Sequence, residues 1–422
     1  MRNHEYFHDK FHLLLQTMFS SLSNRDFRYL WIGQCIALIG SWVQRTALVW
    51  LVYELTDSPF MVGLMGVFQF TPMFLFTLPA GVIVDRVKSK RNLLLITNFF
   101  FMLQALIMTI LTYTKLISYY HIFILSTIYG LLMTFDMPAR QAYFPELVGV
   151  DKVMNAVSLN STIFNLAKII GPALAGIVMV TWGTSFCFLT NTITYFAVII
   201  GLLMIHTPPK PHQPSRKNIM REMQEGLSYI WHNNTLKVNV LFMATVVTCS
   251  MNNDVVTPIF AKEVLHRGSD AYSMLMSTTG LGAFLGAIYM SYRAVHGVNK
   301  KMFIASIFVM TGTQISLFFI RSYQYAMLAT MIIGFCIIVF LNMSNSIFQL
   351  TAEVQYRGRV MSVYSFLNGG SAPIGSFYAG SVMQGLGGAF GWPGCGLMAL
   401  FTLGAAFFHY KADFFRWYLK DS

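Results

Sequence analysis

The chain has 422 residues, 55% hydrophobic and only 11% charged, with a formal net charge of +12 and a mean hydropathy of +0.56. A soluble domain covers its surface with about 25% charged residues. Soluble domains of this length are therefore excluded, and so are a disordered chain, a collagen-like repeat and a disulfide scaffold.

What remains is a polytopic membrane protein with most of its surface in lipid. Twelve spans of roughly 20 residues take about 240 positions and leave little for a soluble domain. The apolar runs are continuous rather than alternating, which selects helices over a β-barrel.

Residues 1–26 are polar and aromatic. Their longest apolar run, Leu13-Leu14-Leu15, is too short for a signal-peptide core, so the first span is expected to follow uncleaved. Six apolar segments come next, at 27–53, 60–84, 92–113, 121–140, 153–180 and 184–206. Six more lie at 236–260, 271–292, 302–320, 323–349, 360–385 and 392–410. Between the sets, 207–235 opens with Pro208, Pro209, Pro211 and Pro214, which suit an extended linker. It then turns amphipathic over 219–231. The expected organisation is a bundle at 27–206, a cytoplasmic linker at 207–235, a second bundle at 236–410 and a tail at 411–422.

Lys and Arg placement sets the orientation. With the N-terminus in the cytoplasm, inside segments hold 23 of the 29 basic residues and outside loops hold 4, namely Lys115, Lys262, Arg267 and Arg321. Positive-inside insertion requires this alternation, so both termini are expected in the cytoplasm. The basic charge is accounted for by this bias and by anionic lipid head groups, without nucleic acid. The halves also repeat. An offset of 204 carries Gly171 and Gly176 onto Gly375 and Gly380, and an offset of 205 carries Gly81 onto Gly286. Parallel six-helix halves are a known transporter plan.

The five cysteines form no C-x-x-C pair, and ten histidines are scattered without ligand spacing. Neither a phosphate-cradling loop nor a nucleophile elbow or H-E-x-x-H motif occurs. No catalytic residue, metal or cofactor is expected, which disfavours an ATPase or other enzyme.

Five stretches carry more information. Gly81-Val-Ile-Val-Asp85-Arg86-Val-Lys-Ser-Lys90-Arg91 joins spans two and three. Its Gly permits close helix contact, and Asp85 suits the N–H groups opening the next helix. Ala167-Lys168-Ile-Ile-Gly171-Pro172-Ala-Leu-Ala175-Gly176 sets small residues four apart around a bend at Pro172. The pairs Asp136/Arg140 and Arg357/Arg359 stand in two further stretches, 135–148 and 356–362. A fifth stretch, 53–59, follows span one. The bland alternatives are a plain positive-inside loop and ordinary small-residue packing.

These motifs resemble the major facilitator superfamily, in its enterobactin-exporter-like branch of siderophore and drug exporters. The resemblance covers about residues 24–410, though Lys88 and Ser89 replace the family's later Gly and Arg. It implies an all-α integral membrane protein of twelve helices in two pseudo-symmetric six-helix bundles. It also implies that Gly81, Asp85, Arg86, Lys90 and Arg91 latch the cytoplasmic side. Gly171, Pro172, Gly176, Arg140, Arg357 and Arg359 join them in conformational switching.

Ionisable residues inside spans are functional candidates. Arg45 and Lys168 have no acid one turn away and are expected to meet an anionic substrate with Asn252 and Asn253. Asp254 leads the proton-coupling set, followed by Asp136 and Glu54, and the polar cluster at 252–254 before Pro258 is expected to unwind its helix. The opposing reading ties these charges into internal ion pairs, including Arg45 with Asp254 or Glu54.

The sequence thus reads as a monomeric proton-coupled exporter of a small molecule, working by alternating access among the lipids of a bacterial inner membrane. A lysophospholipid mover, a transport-inactive scaffold or receptor, and a membrane enzyme are the alternatives.

Overall fold

In hydrocarbon every backbone N–H and C=O must be satisfied within its own segment, so these apolar runs fold as helices. The computed structural model describes residues 19–207, 219–293, 297–353 and 355–419. The four linker prolines, most of segment 1–26 and the last three residues lie outside the described residues. The first half supplies α1 (Arg25–Thr56), α2 (Pro59–Arg86), α3 (Lys90–Tyr113), α4 (Tyr119–Val148), α5 (Val153–Thr181) and α6 (Thr184–Leu203). A connector, α7 (Ile219–His232), precedes the second half.

The second half holds α8 (Asn234–Val264), α9 (Ser269–Arg293), α10 (Lys300–Ser316), α11 (Tyr323–Thr351), α12 (Arg357–Gly370), α13 (Ala372–Leu386), α14 (Gly391–His409) and α15 (Lys411–Leu419). Among the described residues, 10 helices are long and apolar enough to cross a membrane. The remaining two crossings have visible reasons for falling short. The 17 residues of α10 are at the lower limit for a span, and α12 and α13 form one span broken at Ser371. Span four runs past its expected end at Arg140 to Val148, carrying Pro138 and Pro145 inside it.

Short polar residues start the helices. Asn24, Ser58, Ser89 and Asn299 each accept a backbone N–H of the first turn, satisfying donors that a helix leaves open. Ser89, not Asp85, therefore caps α3. Asp85 lies in the last turn of α2.

Packing repeats between the halves. In the first, α1 packs on α5 and α6, α2 on α4, and α3 on α4 and α6. In the second, α8 packs on α13 and α14, α9 on α11, and α10 on α11 and α14. The halves meet through α2 against α13 and α5 against α9, a pair of contacts that the internal two-fold exchanges. Buried amides follow the same symmetry. Gln44 receives Asn191 at 2.8 Å and donates to Gln104 at 3.0 Å. In the second half Ser250 and Gln314 exchange hydrogen bonds of 2.5 and 2.8 Å.

Two glycines at the 204-residue offset, absent from the sequence-based repeat, set these distances. A Cβ on Gly130 of α4 would stand 1.9 Å from the Gln69 carbonyl oxygen of α2, and one on Gly334 of α11 would stand 2.0 Å from the Thr279 oxygen of α9. Backbone meets backbone at both places, which only glycine permits. Gly130→Ala is expected to lower stability by about 1–3 kcal/mol through overpacking. Gly81→Ala, with nothing within 4 Å of its Cβ position, should leave it unchanged. Thermal unfolding of the purified protein in detergent checks both.

Candidate functional site

Pro258 lacks an N–H and leaves the Asp254 carbonyl without its helical partner. The polar run before it completes the break. From Asn234, α8 is α-helical to Thr245 and π-helical over Val246–Ser250. It leaves the helix at Met251 and Asn252, then restarts at Asn253–Ile259 and ends in a second π segment, Phe260–Val264. The Asn252 side chain donates to the Thr248 and Cys249 carbonyls at 2.9 and 3.2 Å, covering acceptors that the break exposes. Asp254 falls in the first turn of the restarted helix, where the dipole favours negative charge. The unwinding expected at 252–254 is present at Met251 and Asn252, while Asn253 and Asp254 already belong to the restarted helix.

This break lines a cavity of about 260 Å³ between the halves, together with Trp42, Arg45, Phe70, Phe164 and Lys168. Arg45 forms an ion pair with Asp254 across the halves, and each side chain is about one-third exposed, 32% and 33%. Arg45 has no acid one turn away on its own helix, and of the two cross-bundle partners considered, Asp254 and Glu54, it is Asp254 that pairs with it. The guanidinium also lies 5.1 Å from the Trp42 ring and 5.5 Å from the Phe70 ring, a cation–π arrangement. Sequence reasoning missed these two aromatics; the i−3 spacing of Trp42 to Arg45 was the available signal.

Lys168 lines the same cavity and has no ion-pair partner among the described residues, although it lies within electrostatic reach of Asp254 and Arg45. Asn253 brings a buried carbonyl oxygen with no hydrogen-bond partner among the described residues.

The other candidates lie elsewhere. Asp136 is buried and accepts from Thr97 at 2.7 Å, from Asn98 at 3.1 Å and from Arg140 at 2.5 Å. Asp136 and Arg140 line an adjoining cavity of about 160 Å³ in the first half, which shares Trp42, Arg45 and Phe164 with the central one. Glu54 is exposed near the end of α1, with no ion pair among the described residues. Arg91 donates to the Leu202 and Leu203 carbonyls at 2.8 and 3.1 Å, closing the end of α6. Lys90 donates to the Val87 carbonyl at 2.7 Å. Arg86 is exposed at the end of α2. Gly171 packs on Trp42 and Gly176 on Ser273, while Pro172 is buried inside α5. Arg357 is exposed, and Arg359 pairs with Glu225 of the connector at 2.8 Å.

A set of ties at the α1–α2 turn also escaped the sequence reading. The Tyr53 hydroxyl donates to Glu263 at 2.6 Å, and Glu263 also accepts the Gly388 N–H at 2.7 Å. Lys262 pairs with Asp57 at 2.8 Å, and the Ser58 hydroxyl donates to Gln384 at 2.7 Å. Among the described residues, every hydrogen bond between the halves lies from mid-molecule to this end. The opposite end has none, and Gly81 and Gly358 there have no neighbour within 4 Å of a would-be Cβ. The described polar ties between the halves thus gather at the α1–α2 turn, while α2 meets α12 through apolar contacts such as Phe74 with Phe366, 5.3 Å apart.

A family model described as transmembrane secretion effector matches residues 16–413. The staphyloferrin A transporter of Staphylococcus aureus is 24% identical over 265 residues, covering 62% of this chain and just under two thirds, 66%, of that protein. Macrolide efflux protein A of Streptococcus pyogenes is 21% identical, covering 83% of this chain and 87% of its own. Among solved structures, a bacterial homolog of the human lysosomal transporter Spinster, described as inward-facing and unoccupied, superposes with a TM-score of 0.72 at 12% identity. It covers 94% of this chain and 98% of its own. The nucleoside transporter NupG gives a TM-score of 0.72 at 14% identity, with 92% and 99% covered.

Because the ties at the α1–α2 turn hold the halves in one relation, joining them covalently should stop any cycle that requires the halves to part. Oxidative cross-linking of the Ser58→Cys/Gln384→Cys variant is expected to abolish transport in proteoliposomes, and reductant should restore it. The single variants should stay active after oxidation.

Proposed function

Because the chain belongs to the transmembrane secretion effector family of the major facilitator superfamily, transporters rather than enzymes, we propose that it exports a siderophore-like or drug-like small molecule by alternating access, driven by protons. The observation that carries this reading is the charge composition of the central cavity. Among its described lining residues are two cations, Arg45 and Lys168, and one acid, Asp254. The excess positive charge favours an anionic substrate, and the planar fork of Arg45 suits a carboxylate. The buried carbonyl of Asn253 and the side chain of Asn252 add polar positions beside it. A siderophore substrate agrees with the staphyloferrin A transporter, and a drug substrate with the macrolide efflux protein, among the relatives.

Positive-inside insertion puts the α2–α3 loop in the cytoplasm, so the tied α1–α2 end would face outward and the cavity would open toward its substrate source. On this reading the free Gly81 loop is a disengaged latch. Gly81, Asp85 and Arg86, with Arg357 across from them, would come together when the inner side closes. A cysteine at Ser118 should then react with an impermeant thiol reagent on intact cells lacking the native cysteines, and a cysteine at Ser89 should not.

Asp254 is the proposed proton carrier, since Asp136 has a complete internal shell and Glu54 is exposed. Protonating Asp254 would release Arg45 and loosen the pair that spans the halves. Uptake into inverted proteoliposomes under a pH gradient tests this with anionic, neutral and cationic substrates in parallel. Asp254→Asn is expected to lose gradient-driven uptake at least tenfold yet keep exchange of labelled for unlabelled substrate. Preference for cationic substrates, or full gradient-driven uptake by the variant, would overturn the assignment.

A further inference from the structure

Arg45 is the cation held by Asp254, so an anion reaching Arg45 must displace a carboxylate already there. Both side chains are open to the cavity, so competition is feasible. Displacement leaves Asp254 charged and without a partner inside the membrane, which is costly unless it finds a proton or a second cation. The titratable and charged groups facing Asp254 are few. They are Arg45 on α1, Lys168 on α5 and the buried Tyr272 on α9, within electrostatic reach of Asp254. The cavity-lining residues of α2 and α13 bring no ionisable group among those described. Lys168 is the one cation left, and among the described residues it has no ion-pair partner of its own.

We propose that Lys168 receives Asp254 when an anionic group occupies Arg45, so that binding exchanges one ion pair for another without taking up a proton. This rests on the anionic-substrate reading of the same cavity. Lys168 is then a positioning residue, which explains why a second cation sits unpaired beside a complete pair. Lys168 lies on α5 and Asp254 on α8, so the exchanged pair still spans the halves, whereas a proton on Asp254 would remove either pair.

The test uses the full chain in lipid nanodiscs with isophthalate, a dicarboxylate ionised across the range used. Calorimetric titration in two buffers of different ionisation heat gives the protons taken up per anion bound. The wild type should take up close to none, with affinity flat between about pH 6.5 and 8.5. Lys168→Gln should take up about one proton per anion, its affinity rising up to about tenfold per unit fall in pH. Lys168→Arg should restore the wild-type pattern, which excludes misfolding as the cause. Proton uptake by the wild type, or proton-free binding by Lys168→Gln at any affinity, would overturn the exchange. Absence of isophthalate binding to the wild type while cationic probes bind would instead overturn the anionic-substrate reading beneath it.

Discussion

Arg45 and Asp254 belong to different halves of the molecule, so the pair they form exists only while the halves hold one relative position. An isolated charge at mid-membrane costs about 2.5–3.5 kcal/mol on insertion scales. This chain carries its central charges on facing helices, where each offsets the cost of the other. The rest of the centre follows from that constraint. The break at Met251 and Asn252 gives Asp254 a helix N-terminus. Trp42 and Phe70 flank the guanidinium, and a cavity keeps both groups in contact with water.

Around this centre the fold is a duplicated packing problem solved twice. Gly130 and Gly334 let α4 reach α2 and α11 reach α9 at backbone contact. Each half thereby holds together through close internal contacts that use no charge. Contacts between the halves combine apolar surfaces, α2 with α13, α5 with α9 and, through Phe74 and Phe366, α2 with α12, with polar ties, the central Arg45–Asp254 pair and, near the α1–α2 turn, Lys262 with Asp57 and Ser58 with Gln384.

The spans were legible in the sequence because a bilayer imposes one length and one hydrogen-bonding solution on every apolar run. The unwound cluster at 252–254 was legible too, since Asn-Asn-Asp before Pro258 violates that solution locally. The partner of Arg45 was legible only as one of two candidates, Asp254 and Glu54. Its acid lies 209 positions away, and hydropathy carries no information about which helices face each other. The same blindness hid Glu263, whose contacts with Tyr53 and Gly388 depend on three chain ends meeting. Asp85 was assigned as a cap because aspartate is a good one, but Ser89 stands at the required position before α3. The Gly130–Gly334 match was readable at the offset already in use, yet isolated glycines rise above background only when their neighbours are known.

The two π segments of α8 bracket Asp254, one ending at Ser250 and the other beginning at Phe260. A π turn closes its ring over one residue more than an α turn, so each segment stores one residue of slack. Moving that slack along the chain turns the stretch between by about 100°, the angle one residue subtends in a helix of 3.6 per turn. The stretch that carries Asp254 is therefore bounded on both sides by turns one residue longer than those of an α-helix, the kind of slack through which its carboxylate would be re-aimed.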